Sequence, residues 1–240
     1  MSLIYIAGHS AALEYAAQQL ALSGCHFTPC PGPDVTHLLL PVPSLDPDGS
    51  IKGGGDLKEI VSQLPKPITI VGGNLPSLLD CQVCDLLQDP LYLAQNANIT
   101  AHCAISLAMA QLKVTLEDCP VLIIGWGRIG KCLARLLHGL NAKVTVAARK
   151  ETARATAASL GFNAIDIPYI LPEHFRIIFN TAPEMVLPIC SGNCLKIDLA
   201  SRRGIGGDDV IWARGLPGKD APESSGALIA QTILRKGILQ

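Results

Sequence analysis

Short apolar runs alternate with amphipathic segments along the first half of the chain. The runs predict strands at 3–7, 37–42 and 68–71. After the first strand, apolar residues recur at the i, i+3, i+4 and i+7 spacing of one helix face, from Leu13 to Leu20. The segment 45–56, which contains Gly53-Gly54-Gly55, is interpreted as a mobile loop. Strands that alternate with helices predict a parallel sheet with crossover helices.

The second half repeats this alternation more regularly. Strands are predicted at 121–124, 143–147, 177–179, 195–199 and 210–213. Helices are predicted at 129–140, at 151–160 and from about 225 to 236, where Gly237 ends the last one. The pattern therefore indicates a second parallel α/β lobe.

A helical segment of different character lies between the halves. Thr100 is a suitable N-cap, and the helix that follows it, 101–113, is apolar nearly all round. Such a helix is normally buried, so we expect it to link the two lobes. The predicted organisation is a flavodoxin-like N-terminal lobe (1–97), a linker helix (98–118), a second lobe (119–220) and a C-terminal helix (221–240) that packs back toward the first lobe.

Composition argues against several kinds of partner. The 19 Lys and Arg residues are balanced by 20 Asp and Glu residues, so no basic face for nucleic acid is expected. No apolar run approaches the ~18–20 residues of a membrane span, so no membrane contact is expected. Nine scattered cysteines and the lack of a basic leader predict reduced thiols in a cytoplasmic protein.

Cys81 and Cys84 have the spacing of a metal or redox pair. Zinc requires four ligands at defined spacing, and only Cys25 and Cys30 lie near them in the sequence. We predict a helix here, in which thiols at i and i+3 pack into the core. No metal site is therefore predicted.

The strongest chemical signal is a glycine-rich turn. Gly125-Trp126-Gly127-Arg128-Ile129-Gly130 follows a predicted strand and opens a predicted helix, which is the context of a dinucleotide-binding turn. The first glycine permits the tight turn, the second lets the backbone approach a pyrophosphate, and the third lets helix and strand pack closely. The expected fold is therefore α/β, with two Rossmann-like, doubly wound parallel-sheet lobes joined by a long buried helix.

The following strand indicates which nucleotide is bound. It leads into Ala148-Arg149-Lys150, where an NAD-dependent enzyme usually carries an acidic residue for the ribose 2′-hydroxyl. Two cations suit a 2′-phosphate, so NADP(H) is expected, with NAD(H) as the second choice. The same cations disfavour S-adenosylmethionine. The alternative is that Arg149 is only an exposed charge at a strand end.

Small and polar residues follow two later strands. They are Asn180-Thr181-Ala182-Pro183 and Ala200-Ser201. Ligands of open α/β sheets lie beyond the carboxyl ends of the strands, so these residues are expected to bind the cofactor. Asn180, Thr181 and Ser201 are candidates for lining the nicotinamide ribose, and each fits a turn-capping role equally well.

Together these motifs resemble the A subunit of dipicolinate synthase. The glycine turn, Asn180-Thr181-Ala182-Pro183, Asp198-Leu199-Ala200-Ser201 and Gly215-Leu216-Pro217-Gly218-Lys219 occur in that family's order and spacing. The resemblance implies oxidation of a dihydrodipicolinate-type intermediate to pyridine-2,6-dicarboxylate, with hydride transfer to NADP⁺, in a process tied to sporulation. It also implies a small dicarboxylate substrate and a B-subunit partner, and we expect a homodimer.

Several residues are candidates for the substrate side. Arg202, Arg203 and Lys219 are expected to bind carboxylates, although the two arginines are equally typical of a solvated loop. His102 occupies the place of a family acid in the first turn of the linker helix, so it is a candidate proton carrier. A water-exposed histidine is the alternative there. His9, in the first strand–helix turn, is assigned to substrate binding by the resemblance.

Departures from the family's pattern fall on this same side. His102-Cys103 replaces a Glu-Gly pair, and Arg202-Arg203-Gly204 replaces Pro-Gly-Gly. Cofactor binding is therefore better supported than the reaction. A nucleotide-binding subunit or sensor without catalysis of its own is the alternative. A 2-hydroxy-acid-type dehydrogenase ranks last, because no His–carboxylate–Arg catalytic set is found.

Overall fold

The computed structural model describes residues 2–77, 80–190 and 192–239. The chain forms two compact units. The first unit comprises the residues up to Asn96 together with those from Pro217 onward, and the second comprises Ala97–Leu216. Each unit is built on its own parallel sheet, so the predicted α/β class with two doubly wound sheets is confirmed.

The secondary structure elements are numbered in chain order. The strands are β1 (Leu3–Ile6), β2 (His26–Thr28), β3 (His37–Leu39), β4 (Ile68–Gly72), β5 (Cys81–Asp85), β6 (Pro120–Ile124), β7 (Lys143–Ala147), β8 (Asn163–Ile165), β9 (Ile177–Asn180), β10 (Leu195–Asp198) and β11 (Val210–Trp212). The helices are α1 (Ala11–Leu22), α2 (Leu57–Ser62), α3 (Pro90–Gln111), α4 (Arg128–Gly139), α5 (Glu151–Ser159), α6 (Leu216–Asp220) and α7 (Pro222–Arg235).

The sheet of the first unit has the strand order β2-β1-β3-β4-β5, and all neighbouring strands are parallel. This is the flavodoxin-like order. Helix α7 packs on α1 through Gly226, where a Cβ atom would lie 2.5 Å from the carbonyl oxygen of Ala12. Glycine therefore permits an approach of the two helices that no other residue allows. The chain beyond Pro217 thus completes the first unit.

The sheet of the second unit has the order β11-β10-β9-β6-β7-β8, again with all pairs parallel. Counted from β6 as the first strand, this is the Rossmann order 3-2-1-4-5-6. The order reverses between β6 and β9, which makes that boundary the topological switch point. Ile124 is in register with both Ala147 and Asn180, so β6, β7 and β9 end at one edge of the sheet.

Helix α3 begins earlier than predicted. Asp89 accepts a 2.8 Å hydrogen bond from the Tyr92 backbone N–H, and Pro90 occupies the first helical turn, where its missing N–H costs nothing. Thr100 therefore lies inside the helix, and both the predicted N-cap at Thr100 and the predicted helix start at 101 are wrong. The expected burial on all sides is also wrong, because His102 and Met109 lie on an exposed face. The helix runs from the first unit into the second.

One further prediction for the first unit is wrong. Cys81 and Cys84 lie in strand β5, which pairs along its length with β4, and not in a helix. The segment 45–56 is anchored at Ile51, which is fully buried, and the Lys52 N–H donates to the Ser44 carbonyl at 2.9 Å; its mobility stays a prediction. Among the helices of the described residues, none combines the length and apolar character needed to cross a bilayer.

Candidate functional site

The glycine turn between β6 and α4 has the conformation that its sequence predicts. Gly125 has a φ of +100°, and a Cβ atom there would lie 2.5 Å from Oγ1 of Thr181. A Cβ atom on Gly130 would lie 2.2 Å from the Gly125 carbonyl oxygen, so helix and strand approach more closely than a side chain permits. Gly127 differs, because no atom of any residue other than its two chain neighbours lies within 4 Å of its Cβ position. The turn is therefore packed against the protein at Gly125 and Gly130, whereas Gly127 leaves space for a ligand.

The N-terminus of α4 opens into a cavity of about 510 Å³, lined by Gly127, Arg128, Ile129, Lys131 and Thr181. Gly127 is the N-cap and provides no side-chain hydrogen bond to the first turn. This turn has no acidic residue and carries Arg128 and Lys131, which the positive end of the helix dipole disfavours. A bound anion offsets that repulsion and accepts the N–H groups of the turn. The cavity therefore fits a pyrophosphate, and Lys131 is a cation that the sequence analysis missed.

Thr181 holds the turn from the neighbouring strand. Its backbone N–H donates to the Ile124 carbonyl at 2.8 Å, and its hydroxyl donates to the same oxygen at 2.9 Å. The hydroxyl thus has a structural partner and also faces the cavity wall. We infer that Thr181 keeps β6 and β9 joined at the switch point.

A second cavity, of about 220 Å³, lies beside the first at the end of β7. Its apolar wall is formed by Ile124, Ala147, Ala148, Ala153, Ile167 and Val186, together with the indole of Trp126. Arg149 and Lys150 supply the cations at its rim. Nε1 of Trp126 is buried and has no hydrogen-bond partner within the described ranges. An apolar slot that ends in two cations has the character required by an adenine ring with a phosphorylated ribose.

Arg149 forms a bidentate ion pair with Glu184. Its guanidinium donates to the two carboxylate oxygens, from Nη1 to Oε2 at 2.5 Å and from Nη2 to Oε1 at 2.9 Å. Both side chains are exposed, at 68% and 56%. The hydrogen bond and the charge of Arg149 lower the pKa of Glu184, and Glu184 raises the pKa of Arg149. Glu184 lies beyond the end of β9, and the sequence analysis did not identify it.

Arg154 fixes the backbone at this strand end. Its Nη1 donates to the carbonyl oxygens of Ala148 and Arg149, both at 2.7 Å, and lies 3.2 Å from Oδ2 of Asp166. These bonds tie the first turns of α5 to the chain that leaves β7. Arg154 is therefore a positioning residue for Arg149, and nothing in the local pattern distinguished it from an ordinary helix cation.

Asn180 and Asp198 form the buried base of the neighbouring loops. Asn180 donates through Nδ2 to Asp198 Oδ1 at 2.9 Å and to the Ala182 carbonyl at 3.0 Å. Asp198 also accepts the backbone N–H groups of Ala200, Gly204 and Ile205 at 3.0, 2.7 and 3.1 Å. Both side chains are completely buried, so Asn180 shapes the site and does not present its amide to a ligand.

The loop after β10 carries the remaining candidates of the second unit. Ala200 is buried, and its carbonyl accepts a 3.1 Å hydrogen bond from Nε1 of Trp212. Ser201, Arg202 and Arg203 are exposed, and Arg203 donates to the Gly207 carbonyl. Pro183 and Ala182 belong to the loop after β9, where Ala182 lines the smaller cavity.

The loop after β11 adds a cation that the sequence analysis did not consider. Arg214 lies over the ring of Trp212, 5.4 Å from its centroid. Since β11 is parallel to β10, Arg214 follows the same edge of the sheet that carries Arg202 and Arg203.

The other candidates lie on α3 and in the first unit. His102 is exposed in the middle of α3, so the prediction that it lies in the first helical turn is wrong. His9 and Lys219 belong to the first unit. His9 pairs through Nδ1 with Glu14 at 3.0 Å, and Lys219 is exposed in α6. Their roles in substrate binding and catalysis stay predictions.

A further cavity, of about 530 Å³, lies at the opposite edge of the same sheet. Cys119, Pro120 and Arg176, at the amino ends of β6 and β9, line it. The amino edge of an open parallel sheet is not where such folds bind nucleotides, and no glycine turn borders it. Within the described ranges, no cluster of three or more potential metal ligands is found.

Comparison with known proteins agrees with this geometry. A family model described as the NAD-binding domain of D-isomer specific 2-hydroxyacid dehydrogenase matches residues 96–185. The A subunit of dipicolinate synthase from Bacillus subtilis (strain 168) is 26% identical, over 87% of this chain and 80% of that protein.

Solved structures show the same fold. The A subunit of dipicolinate synthase from Bacillus halodurans superimposes with a TM-score of 0.82 at 21% identity, covering 98% of this chain and 97% of that one. A transhydrogenase from Sinorhizobium meliloti gives a TM-score of 0.71 at 15% identity, covering 99% and 94%. The predicted resemblance to the A subunit of dipicolinate synthase is thus confirmed, and the chain carries a dehydrogenase-type domain for a nicotinamide dinucleotide.

Proposed function

We propose that this protein is an NADP(H)-dependent oxidoreductase of the same type as the A subunit of dipicolinate synthase. The observation that carries the proposal is Arg149, which lies at the end of β7 beside the apolar cavity of the second unit. The ribose of the adenosine half lies at this strand end in Rossmann folds, and a guanidinium binds a 2′-phosphate through two parallel hydrogen bonds. Lys150 lines the same cavity and adds a second positive charge.

The residues of the glycine turn would hold the pyrophosphate. Gly127 leaves room for it, the N–H groups of the first turn of α4 would donate to it, and Arg128 and Lys131 would neutralise its charge. Bound in this way, the nicotinamide supplies a hydride acceptor. The protein's part is then to align the substrate carbon and to exclude water.

The proposed substrate is a dihydrodipicolinate-type dicarboxylic acid, oxidised to pyridine-2,6-dicarboxylate. The substrate loses a hydride to the cofactor and a proton to a base, and the ring becomes aromatic. Arg202, Arg203 and Lys219 are the proposed carboxylate ligands, His9 is also proposed to bind the substrate, and His102 is the proposed proton carrier. A B-subunit partner and a homodimer are part of the same proposal.

Titration with NADPH and NADH tests the first step. Quenching of tryptophan fluorescence reports binding, since Trp126 borders the cavity. NADPH is expected to bind at least tenfold more tightly than NADH, because a charge-assisted pair contributes about 1.5–3 kcal/mol. Comparable affinities for the two cofactors would remove the support that Arg149 gives.

Product formation tests the reaction. The protein is incubated with NADP⁺ and the aldol product of pyruvate and aspartate semialdehyde, with and without a candidate B subunit, and dipicolinate is followed by its absorbance. Formation of NADPH and dipicolinate in equal amounts is expected. Firm NADPH binding without turnover in either mixture would favour the second candidate function.

That second candidate is a nucleotide-binding subunit or sensor without catalysis. It is favoured by the exposed position of His102 in mid-helix and by the hydrogen bond that Arg203 makes within its own loop. A 2-hydroxy-acid dehydrogenase remains the third candidate, and the family model over residues 96–185 is the observation that favours it.

A further inference from the structure

We propose that Glu184 is a specificity-determining residue that weakens NADP(H) binding by competing with the 2′-phosphate for Arg149. This inference rests on the proposed function, because it concerns the same nucleotide site. Its physical basis is the bidentate pair between the two side chains, with N–O distances of 2.5 and 2.9 Å.

The competition follows from the donors of the guanidinium. Nη1 and Nη2 of Arg149 both donate to the Glu184 carboxylate. A phosphate is bound bidentately through a pair of parallel N–H groups like these. The carboxylate and a 2′-phosphate therefore exclude each other on this face of Arg149. They also repel each other, since a phosphate monoester carries a charge of about −1.5 to −2 at neutral pH.

The loop that carries Glu184 is fixed on both sides. Thr181 is tied to the Ile124 carbonyl at 2.8 Å, and the N–H groups of Val186 and Leu187 donate to the Gly204 carbonyl at 2.8 and 3.1 Å. Gly204 packs so closely that a Cβ atom there would lie 2.5 Å from the carbonyl oxygen of Glu184. The backbone of Glu184 is therefore held in place.

The backbone of Arg149 is fixed in the same way by Arg154, which donates to the Arg149 carbonyl at 2.7 Å. With both backbones fixed, only the two side chains can adjust. Both are exposed, at 68% and 56%, so water can replace the contact when they part. The pair is thus an adjustable competitor and not a structural brace, and we expect its removal to leave the fold intact, because exposed ion pairs contribute about 0–1 kcal/mol.

The difference between the two cofactors explains why this competition affects only NADP(H). NADH presents a 2′-hydroxyl, which carries no charge and does not require the guanidinium fork. Displacement of Glu184 is needed for the 2′-phosphate alone. Glu184 therefore reduces the difference in affinity between NADP(H) and NAD(H) that Arg149 and Lys150 create.

The test is the Glu184→Gln variant, titrated with NADPH and with NADH at low salt. Glutamine keeps the size of the side chain and removes its charge. The Kd for NADPH is expected to fall about three- to tenfold, and the Kd for NADH to change less than about twofold. Glu173→Gln is the matched control, because it removes one exposed carboxylate at the opposite edge of the same sheet.

Two further measurements test whether Glu184 acts through Arg149. The gain in NADPH affinity that Glu184→Gln produces is expected to be smaller in an Arg149→Ala background, because the guanidinium for which the carboxylate and the phosphate compete is then absent. The ratio of wild-type to Glu184→Gln Kd values is expected to shrink at high salt, since the pair is exposed and screened.

The outcomes separate this inference from the function on which it rests. A wild-type protein that binds neither cofactor overturns the proposed function. A protein that loses NADPH affinity with Arg149→Ala but shows no change with Glu184→Gln retains that function and overturns the competition. A selective loss of NADH affinity with Glu184→Gln also overturns it, because Glu184 then binds the ribose hydroxyls.

Discussion

Asn180 and Asp198 end adjacent parallel strands and are joined by a 2.9 Å hydrogen bond from Nδ2 to Oδ1. Both are fully buried. Asp198 accepts three backbone N–H groups in addition, two of them from Gly204 and Ile205. One carboxylate thus fixes the loop after β10, and through Gly204 it fixes the loop that carries Glu184.

The Asp198→Asn variant is expected to lose about 2–3 kcal/mol of unfolding free energy, because its NH₂ group would face backbone donors. Urea denaturation measures the loss. The folded fraction should also bind NADPH more weakly, since both loops border the nucleotide site. Asp208→Asn, at an exposed position of the same loop, is the control and should change stability by less than about 0.5 kcal/mol. Equal stability of the two variants would show that Asp198 does not anchor the loops.

Substitution of two glycines of the turn is expected to affect different properties, cofactor binding at Gly127 and stability at Gly130. Gly127→Ala should leave the unfolding free energy nearly unchanged, because only its two chain neighbours could have atoms within 4 Å of the new Cβ atom. The same methyl group faces the cavity at the start of α4, so it should weaken both NADPH and NADH, by about tenfold or more. Fluorescence titration and urea denaturation on one sample separate the effects. Unchanged binding would place the pyrophosphate elsewhere.

Gly130→Ala is expected to destabilise the protein itself by about 1–3 kcal/mol, because its Cβ atom would meet the Gly125 carbonyl oxygen at 2.2 Å. Gly139→Ala, in the same helix, meets no atom within 4 Å outside the neighbouring backbone of its own helix and should stabilise the protein by about 0.5–1 kcal/mol. Thermal unfolding distinguishes the two variants by the sign of the change. Two shifts of the same sign would contradict the close packing of helix and strand.

The glycine turn was predictable because its constraints are local. A strand, three glycines at fixed spacing and an amphipathic helix are all visible in a short stretch, and β7 has the predicted bounds Lys143–Ala147. The short strands β2 and β8 were not predicted, because the local sequence carries too little information. Each has three residues with at least one polar position, so hydrophobic alternation carries too little signal.

The partners within the site could not be predicted, since they depend on contacts between distant segments. Glu184 meets Arg149 across 35 positions, and Asp198 meets Asn180 across 18. No local pattern encodes these contacts. The start of α3 could have been predicted, because Asp89-Pro90 is the signature of an N-cap followed by a first-turn proline.

Gly226→Ala is expected to lower the free energy of unfolding by about 1–3 kcal/mol, because it loosens the packing of α7 on α1. Its Cβ atom would lie 2.5 Å from the Ala12 carbonyl oxygen and 2.8 Å from Cβ of Tyr15, so the helices must move apart. Urea denaturation measures the loss, with the exposed Ser224→Ala as the control on the same helix. Hydrogen exchange should locate the faster exchange in α1 and α7. Protection equal to that of the wild type in these helices would contradict the tight contact.

Asp89 should make the stability of the first unit depend on acid pH. The Tyr92 N–H, the Arg235 guanidinium and the Lys236 ammonium hold the pKa of this buried carboxyl well below its ordinary value of 3.8. Because the folded pKa is lowered, the stabilising contribution is complete above about pH 4, the unfolded value, and is lost as pH falls below it.

Asp89→Asn keeps an N-cap oxygen for Tyr92 but removes the charge that pairs with Arg235, so the cap is retained and only the ion pairs are lost. We expect the variant to be less stable by about 1.5–3 kcal/mol near pH 7 and to approach the wild type near about pH 2, where the unfolded carboxyl is protonated. Urea denaturation across this range, with the exposed Asp34→Asn as the control, measures the difference. A difference that stays constant down to acid pH would mean that Asp89 acts through packing and not through its charge.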